Sequence, residues 1–114
     1  MTLKEARIAF TSQLALLILK INSTEGYTAA LAEVMDRVTA KDPTTDHMKG
    51  SLHEIGLAAD IDLYFNGIYC TQTEDHLPFG EWWEERGKEL GLPLVWGGRF
   101  NDGNHYSLRW EGHS

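Results

Sequence analysis

The chain is 114 residues long, which fits one domain with one core and leads us to expect one functional site. Apolar residues make up 42% and charged residues 24%, so a disordered, collagen-like or coiled-coil chain is disfavoured. Ten basic against 17 acidic residues give a formal charge of −7, the wrong sign for gripping a phosphate backbone, and nucleic acid is not expected as a partner.

The single cysteine, Cys70, excludes an internal disulfide framework and a cysteine-rich zinc site, and a packed thiol is expected there. The longest apolar run, Leu14 to Leu19, is closed by Lys20 and falls far short of the roughly 20 residues that span a bilayer. No membrane insertion is expected. Glu5 and the polar Thr11-Ser12-Gln13 interrupt any signal-peptide pattern, so the expected location is the cytoplasm unless something else releases the chain. The acidity is concentrated in the middle third, where residues 41–80 carry two basic and seven acidic groups. A solvated acidic face accounts for such an excess in most proteins.

Ile8, Leu14, Leu17, Ile18 and Ile21 recur at helical spacing in an uninterrupted stretch from Leu3, which predicts one amphipathic helix packed on the core. Glu25-Gly26 ends it. From Tyr27 to Val38, Ala, Leu, Glu and Met favour helix, yet a glycine precedes the segment and no cap is evident, so the residues alone leave it open. Residues 40–52 are polar and rich in helix breakers, predicting a loop of the length that is often functional. Ala58 to Phe65 reads as a strand. Asn66-Gly67 follows, the dipeptide of a type I′ hairpin turn, and Ile68 to Thr71 returns. After Pro78, a stripe of Phe79, Trp82/Trp83, Arg86 and Leu90 predicts a second helix whose aromatic residues serve the core. Leu94 to Phe100 and His105 to Trp110 read as two strands joined by a tight turn at residues 101–104.

Three candidate metal ligands stand out: His53, Asp60 seven residues later, and His105, with Asp102 three residues before His105. Two imidazoles and a carboxylate suit a borderline cation such as Zn²⁺, and three protein ligands leave a fourth position open, as in catalytic sites. Asp102 is placed to act as the base that takes a proton from water and hands it to a leaving amine. A plainer reading also holds at this level, because Asp60 and Asp62 share a strand face and could form the polar side of a half-exposed strand. The small, apolar stretch Gly56-Leu57-Ala58-Ala59 argues instead for close packing, where an uncompensated Asp60 would be costly. His76 and His113 are expected to be solvated, His47 to line the cleft at most, and Glu54 to point away from the site.

Residues 51–60 read S-x-H-x-x-G-x-A-x-D through Ser51, His53, Gly56, Ala58 and Asp60. This resembles the zinc peptidase family of D-alanyl-D-alanine carboxypeptidases, vancomycin-resistance dipeptidases and phage L-alanyl-D-glutamate endolysins. The segment Trp96 to Tyr106 looks like the family's second motif in its phage form, with an acid three residues before a histidine. The resemblance spans about Gly26 to Trp110. It implies zinc held by His53, Asp60 and His105, with Asp102 as catalytic base, and it implies that Arg37 and Ser51 bind a substrate carboxylate. Arg37 reads equally well as a surface residue paired with Glu33 or Asp36. The resemblance also makes Tyr27 to Met35 a strand. The implied fold class is α+β, a small antiparallel sheet with flanking helices and the zinc site on the open sheet face, in one peptidase domain covering 1–114.

The implied activity is hydrolysis of the L-alanyl-D-glutamate bond in peptidoglycan stem peptides by a monomeric phage lysis enzyme, made in the host cytoplasm and released to the wall at lysis. Aspartate at 102 departs from the Glu-x-x-His of many relatives and weakens a D-alanyl-D-alanine carboxypeptidase reading. From another class comes a metal-stabilised wall-binding or virion domain without catalysis.

Overall fold

The computed structural model describes residues 1–32, 52–53 and 55–114. The first helix, α1, runs from Leu3 to Asn22. Its start is fixed by a capping box: the Thr2 hydroxyl accepts from the Glu5 amide at 3.1 Å while the Thr2 amide donates to the Glu5 carboxylate at 2.7 Å. These bonds hold the Glu5 carboxyl below the usual carboxylate range. The buried stripe is Ala6, Phe10, Leu17 and Ile21, with Leu14 and Ile18 partly covered. Ile8 is the exception to the predicted face and stands 59% exposed. Ile8 lies two residues, about 200° around the helix, from Phe10, whose ring is on the buried side and meets Trp83 edge-on at 5.9 Å.

Strand β1 is Tyr27–Leu31, so the segment whose propensities conflicted is extended from its start. The Asn22 side chain accepts from the Ala29 amide at 3.0 Å and ties the strand to the end of α1. Residues 33–35 of the expected strand lie outside the described residues, as does the predicted loop up to residue 51. Strand β2, Ala58–Phe65, has the predicted bounds. It turns at Asn66 and Gly67, both at positive φ (51° and 80°), into the short β3, Ile68–Tyr69. That is the backbone a type I′ turn requires.

A 3₁₀ turn, Thr73–His76, leads into α2, Leu77–Leu90, which ends at Gly91 in the left-handed conformation. Phe79, Gly80, Trp83 and Gly87 form its buried face. Arg86 and Leu90 do not join that face: Arg86 reaches Gln13 of α1 at 2.9 Å, and Leu90 is exposed. Strand β4, Leu94–Trp96, is shorter than expected, because Gly97–Phe100 closes into a 3₁₀ turn. Strand β5, His105–Leu108, completes an antiparallel sheet in the order β1-β2-β5-β4, with β3 also paired to β2. The fold is α+β, as the sequence implies.

Alternation along β2 assigns the two faces. Ala59, Ile61 and Leu63 join the helices in the core, while Asp60, Asp62 and Tyr64 face the other way. In β5, Tyr106 and Leu108 belong to the core and His105 and Ser107 to the opposite face. Trp83 anchors α2 to the sheet: it is fully buried, and its indole N–H donates to the carbonyls of Val95 and Ser107, both at 3.1 Å. Trp83→Phe should keep most of the apolar volume but strip both carbonyls of their shared donor. The expected loss is about 1–3 kcal/mol of unfolding free energy, read as a lower urea midpoint with unchanged slope.

Candidate metal centre

The site begins with a register. Strands β2 and β5 pair so that Asp60 stands opposite His105, flanked by Ala59 opposite Tyr106. The Ile61 amide donates to the Asn104 carbonyl at 2.8 Å, which marks the neighbouring pair as the hydrogen-bonded one. Asp60 and His105 therefore form a non-hydrogen-bonded pair, the kind whose side chains approach most closely. His105 Nδ1 lies 3.6 Å from Asp60 Oδ1.

His53 arrives from the turn before β2. The Leu57 amide donates to the Leu52 carbonyl at 2.8 Å and the Gly56 amide to the His53 carbonyl at 3.4 Å. Gly56 has φ +77°, a conformation that L side chains rarely adopt, which gives a physical reason for the glycine in the first motif. The turn folds His53 back over the start of β2, and its Nε2 lies 3.5 Å from the same Asp60 Oδ1. The two imidazoles meet edge to face with centroids 5.3 Å apart.

One ligand atom from each of His53, Asp60 and His105 lies within 4.8 Å of the other two, and this group could hold a metal ion. Its geometry fits that role. In a tetrahedral centre with bonds of about 2.1 Å, neighbouring donors stand about 3.4 Å apart. The two separations to Asp60 Oδ1, 3.5 and 3.6 Å, are close to such an edge and longer than an ordinary hydrogen bond of about 2.9 Å. Asp60 is 6% exposed, so the plainer reading of a half-exposed polar strand face does not apply to it. His105 Nε2 is enclosed without a hydrogen-bond partner. Enclosing such an atom costs about 1–3 kcal/mol, a deficit that a bond from Nδ1 to a cation would offset.

Asp102 sits on the turn between the second 3₁₀ segment and β5, with its side chain exposed. Its amide donates to Gly97 O at 3.0 Å, and its carbonyl accepts from the His105 amide at 3.1 Å. Gly97 makes this fold-back possible. A Cβ there would lie 2.3 Å from Asp102 O and 2.8 Å from His105 Cβ, so only glycine lets the acid turn and the ligand strand close together. Trp96 reinforces the turn through its indole N–H, which donates to Gly103 O at 2.7 Å. The structure thus brings His53, Asp60 and His105 together and puts Asp102 one turn away along the chain. Arg37 and Ser51, with His47 and Glu54, lie outside the described residues.

His76 departs from expectation. It is 4% exposed rather than solvated, and its Nδ1 lies 3.0 Å from the Tyr106 hydroxyl. Burial lowers its pKa to about 4, with Asp75 opposing the shift, and burial also raises that of Tyr106. The signal was present in Tyr106, a residue whose hydroxyl needs a partner when its ring enters a core. His113 is exposed, as expected. Cys70 is half-buried against the core, and burial raises the pKa of its thiol.

No protein-family model matches the chain, and no curated protein matches it.

The His76 environment sets a pH dependence. Its folded pKa lies below the unfolded value near 6.5, so between about 6.5 and about 4 the unfolded chain binds a proton that the folded one refuses. Stability should therefore fall as pH drops through this window. A proton NMR titration should show the His76 ring unprotonated down to a midpoint of about 4. In urea titrations, His76→Gln should lose less stability than the parent between neutral pH and the bottom of that window.

Proposed function

We propose that the protein is a zinc-dependent peptidoglycan peptidase that hydrolyses the L-alanyl-D-glutamate bond of cell-wall stem peptides. The observation that carries this reading is the convergence of His53, Asp60 and His105 within 4.8 Å, from the two stretches that resemble the family's motifs. Two imidazoles and one carboxylate are the donor set of a catalytic rather than a closed structural zinc site. When bound, zinc supplies Lewis acidity that polarises a carbonyl and lowers the pKa of water toward 7.

The chain's own residues divide the remaining work. Asp60 lies near both imidazoles and brings a negative charge that offsets part of a divalent cation's. The tight turn at Gly56 and the pairing of β2 with β5 hold the three donors on rigid backbone, so little reorganisation is needed when a ligand arrives. Asp102, exposed on its turn, serves as the base that takes a proton from the attacking water and delivers it to the departing amine of D-glutamate. Its short side chain relies on the Gly97 fold-back for reach. Arg37 and Ser51 are assigned to a substrate carboxylate by the resemblance alone. The protein would work on the wall after release from the host cytoplasm, as a monomer.

Stoichiometric metal analysis, paired with mass spectrometry of digested peptidoglycan with and without chelator, tests the reading. One zinc per chain is expected, with stem peptides freed from the glycan at the alanine–glutamate bond and no cleavage in chelator. Asp60→Ala should lose both metal and activity. Asp102→Ala should keep its zinc and lose about 10²- to 10⁴-fold in turnover, the usual worth of a positioned general base. Release of free D-alanine would instead make the protein a carboxypeptidase. Zinc binding with no cleavage of any wall would make it a binding or virion domain.

A further inference from the structure

A cavity opens beside Asp102. It measures about 190 Å³ and is walled by the segment Tyr69–Thr73, by His76 and by the turn 101–104 that carries the acid. This is smaller than the roughly 300–1,000 Å³ of a site that encloses a whole ligand, so it suits one group of a larger molecule. Beside Asp102 and His76, its polar lining residues are amides and hydroxyls, Thr71, Gln72, Thr73, Asn101 and Asn104 among them, and no lysine or arginine lines it among the described residues. His76 forms part of its wall with an otherwise buried ring. Because Nδ1 is engaged with the Tyr106 hydroxyl, Nε2 is the ring nitrogen left to meet a ligand.

We propose that this cavity binds the N-acetylated amino sugar that carries the stem peptide, an inference that rests on the peptidase reading above. The scissile bond of that reading has two unlike sides. The D-glutamate side bears carboxylates, for which the cavity offers no lysine or arginine among the described residues. The sugar side offers an acetamido group and hydroxyls and carries no charge once its lactyl carboxyl is amide-linked to alanine. Amide and hydroxyl side chains match that inventory donor for acceptor. In the tautomer whose Nδ1 accepts from the Tyr106 hydroxyl, the neutral imidazole presents Nε2–H to the acetamido carbonyl. The sugar would thereby fix the register of the peptide, leaving its alanine carbonyl between Asp102 and the His53–Asp60–His105 cluster.

Cys70 lines the same cavity and is the protein's only thiol, so it reports occupancy without any turnover. The probe is N-acetylmuramoyl-L-alanine amide, which ends before the scissile bond and stays intact. Added to the full zinc-loaded chain, it should slow alkylation of Cys70 by iodoacetamide in a saturable manner. L-Alanyl-D-glutamate without the sugar should not. Gln72→Ala removes one exposed amide and should weaken the protecting affinity by about three- to tenfold, the effect of one lost hydrogen bond. Circular dichroism should confirm that this variant remains folded. Unchanged alkylation at saturating probe, equal protection by the sugar-free dipeptide, or undiminished affinity in folded Gln72→Ala would each overturn the subsite. Alkylation needs no catalysis, so a failed subsite leaves the peptidase reading to its own muropeptide test, and a failed peptidase reading leaves sugar protection measurable.

Discussion

The pairing of β2 with β5 is the constraint on which the rest of the molecule depends. With Asp60 opposite His105, every second residue of both strands is committed to a face, and these two side chains fall on the side away from the helices. A slip of one residue would turn Asp60 into the core and expose Ile61, because the side-chain period of a strand is two. Burial of Ile61, Leu63, Tyr106 and Leu108 therefore does more than stabilise the sheet. It fixes the phase that brings Asp60 and His105 to one face, so the same hydrophobic free energy sets both the fold and the geometry of the His53–Asp60–His105 group.

Two glycines convert that register into a site. Gly56 lets the chain double back so that His53 reaches Asp60, and Gly97 lets the Asp102 turn lie against the start of β5. Each is needed for a local reason: positive φ at one, an absent Cβ at the other. Asp60 is the expensive member. A carboxylate enclosed to 6% exposure is tolerated only with compensation, and here two imidazoles face its Oδ1.

Much of this was legible in the sequence. The Asn66-Gly67 hairpin and the bounds of β2 follow from turn chemistry and strand composition. The ligand cluster was readable as spacing, although the spacing becomes a contact only through a pairing between residues some 45 positions apart, which no local pattern encodes. Ile8 is exposed because it lies about 200° around the helix from the buried Phe10, a matter of helical phase. The other misses share a cause in tertiary contacts. Leu94 to Phe100 looked like one strand, yet Gly97 and Gly98 bend it so that Trp96 can bond Gly103 and lie against Gly98. His76 looked solvated because its sequence neighbours are acidic, while its environment is set by Tyr106, thirty residues away. Buried polar pairs of this kind leave little trace in a single sequence.

Strand β5 has four residues, and three of them hold different parts of the molecule together. His105 belongs to the ligand cluster. Tyr106, next in the chain and on the opposite face, closes the core against Trp83 and reaches His76 in the wall of the polar cavity. The Ser107 carbonyl receives the Trp83 indole, which locks α2 onto the sheet. Because these residues share one backbone, a displacement of α2 bears on His105, the cavity wall and the core together, in contrast to groups whose members sit on separate loops. That coupling explains how so small a chain holds an enclosed carboxylate and two facing imidazoles in place: the rigidity comes from packing on the far side of the strand, where it does not crowd these three side chains.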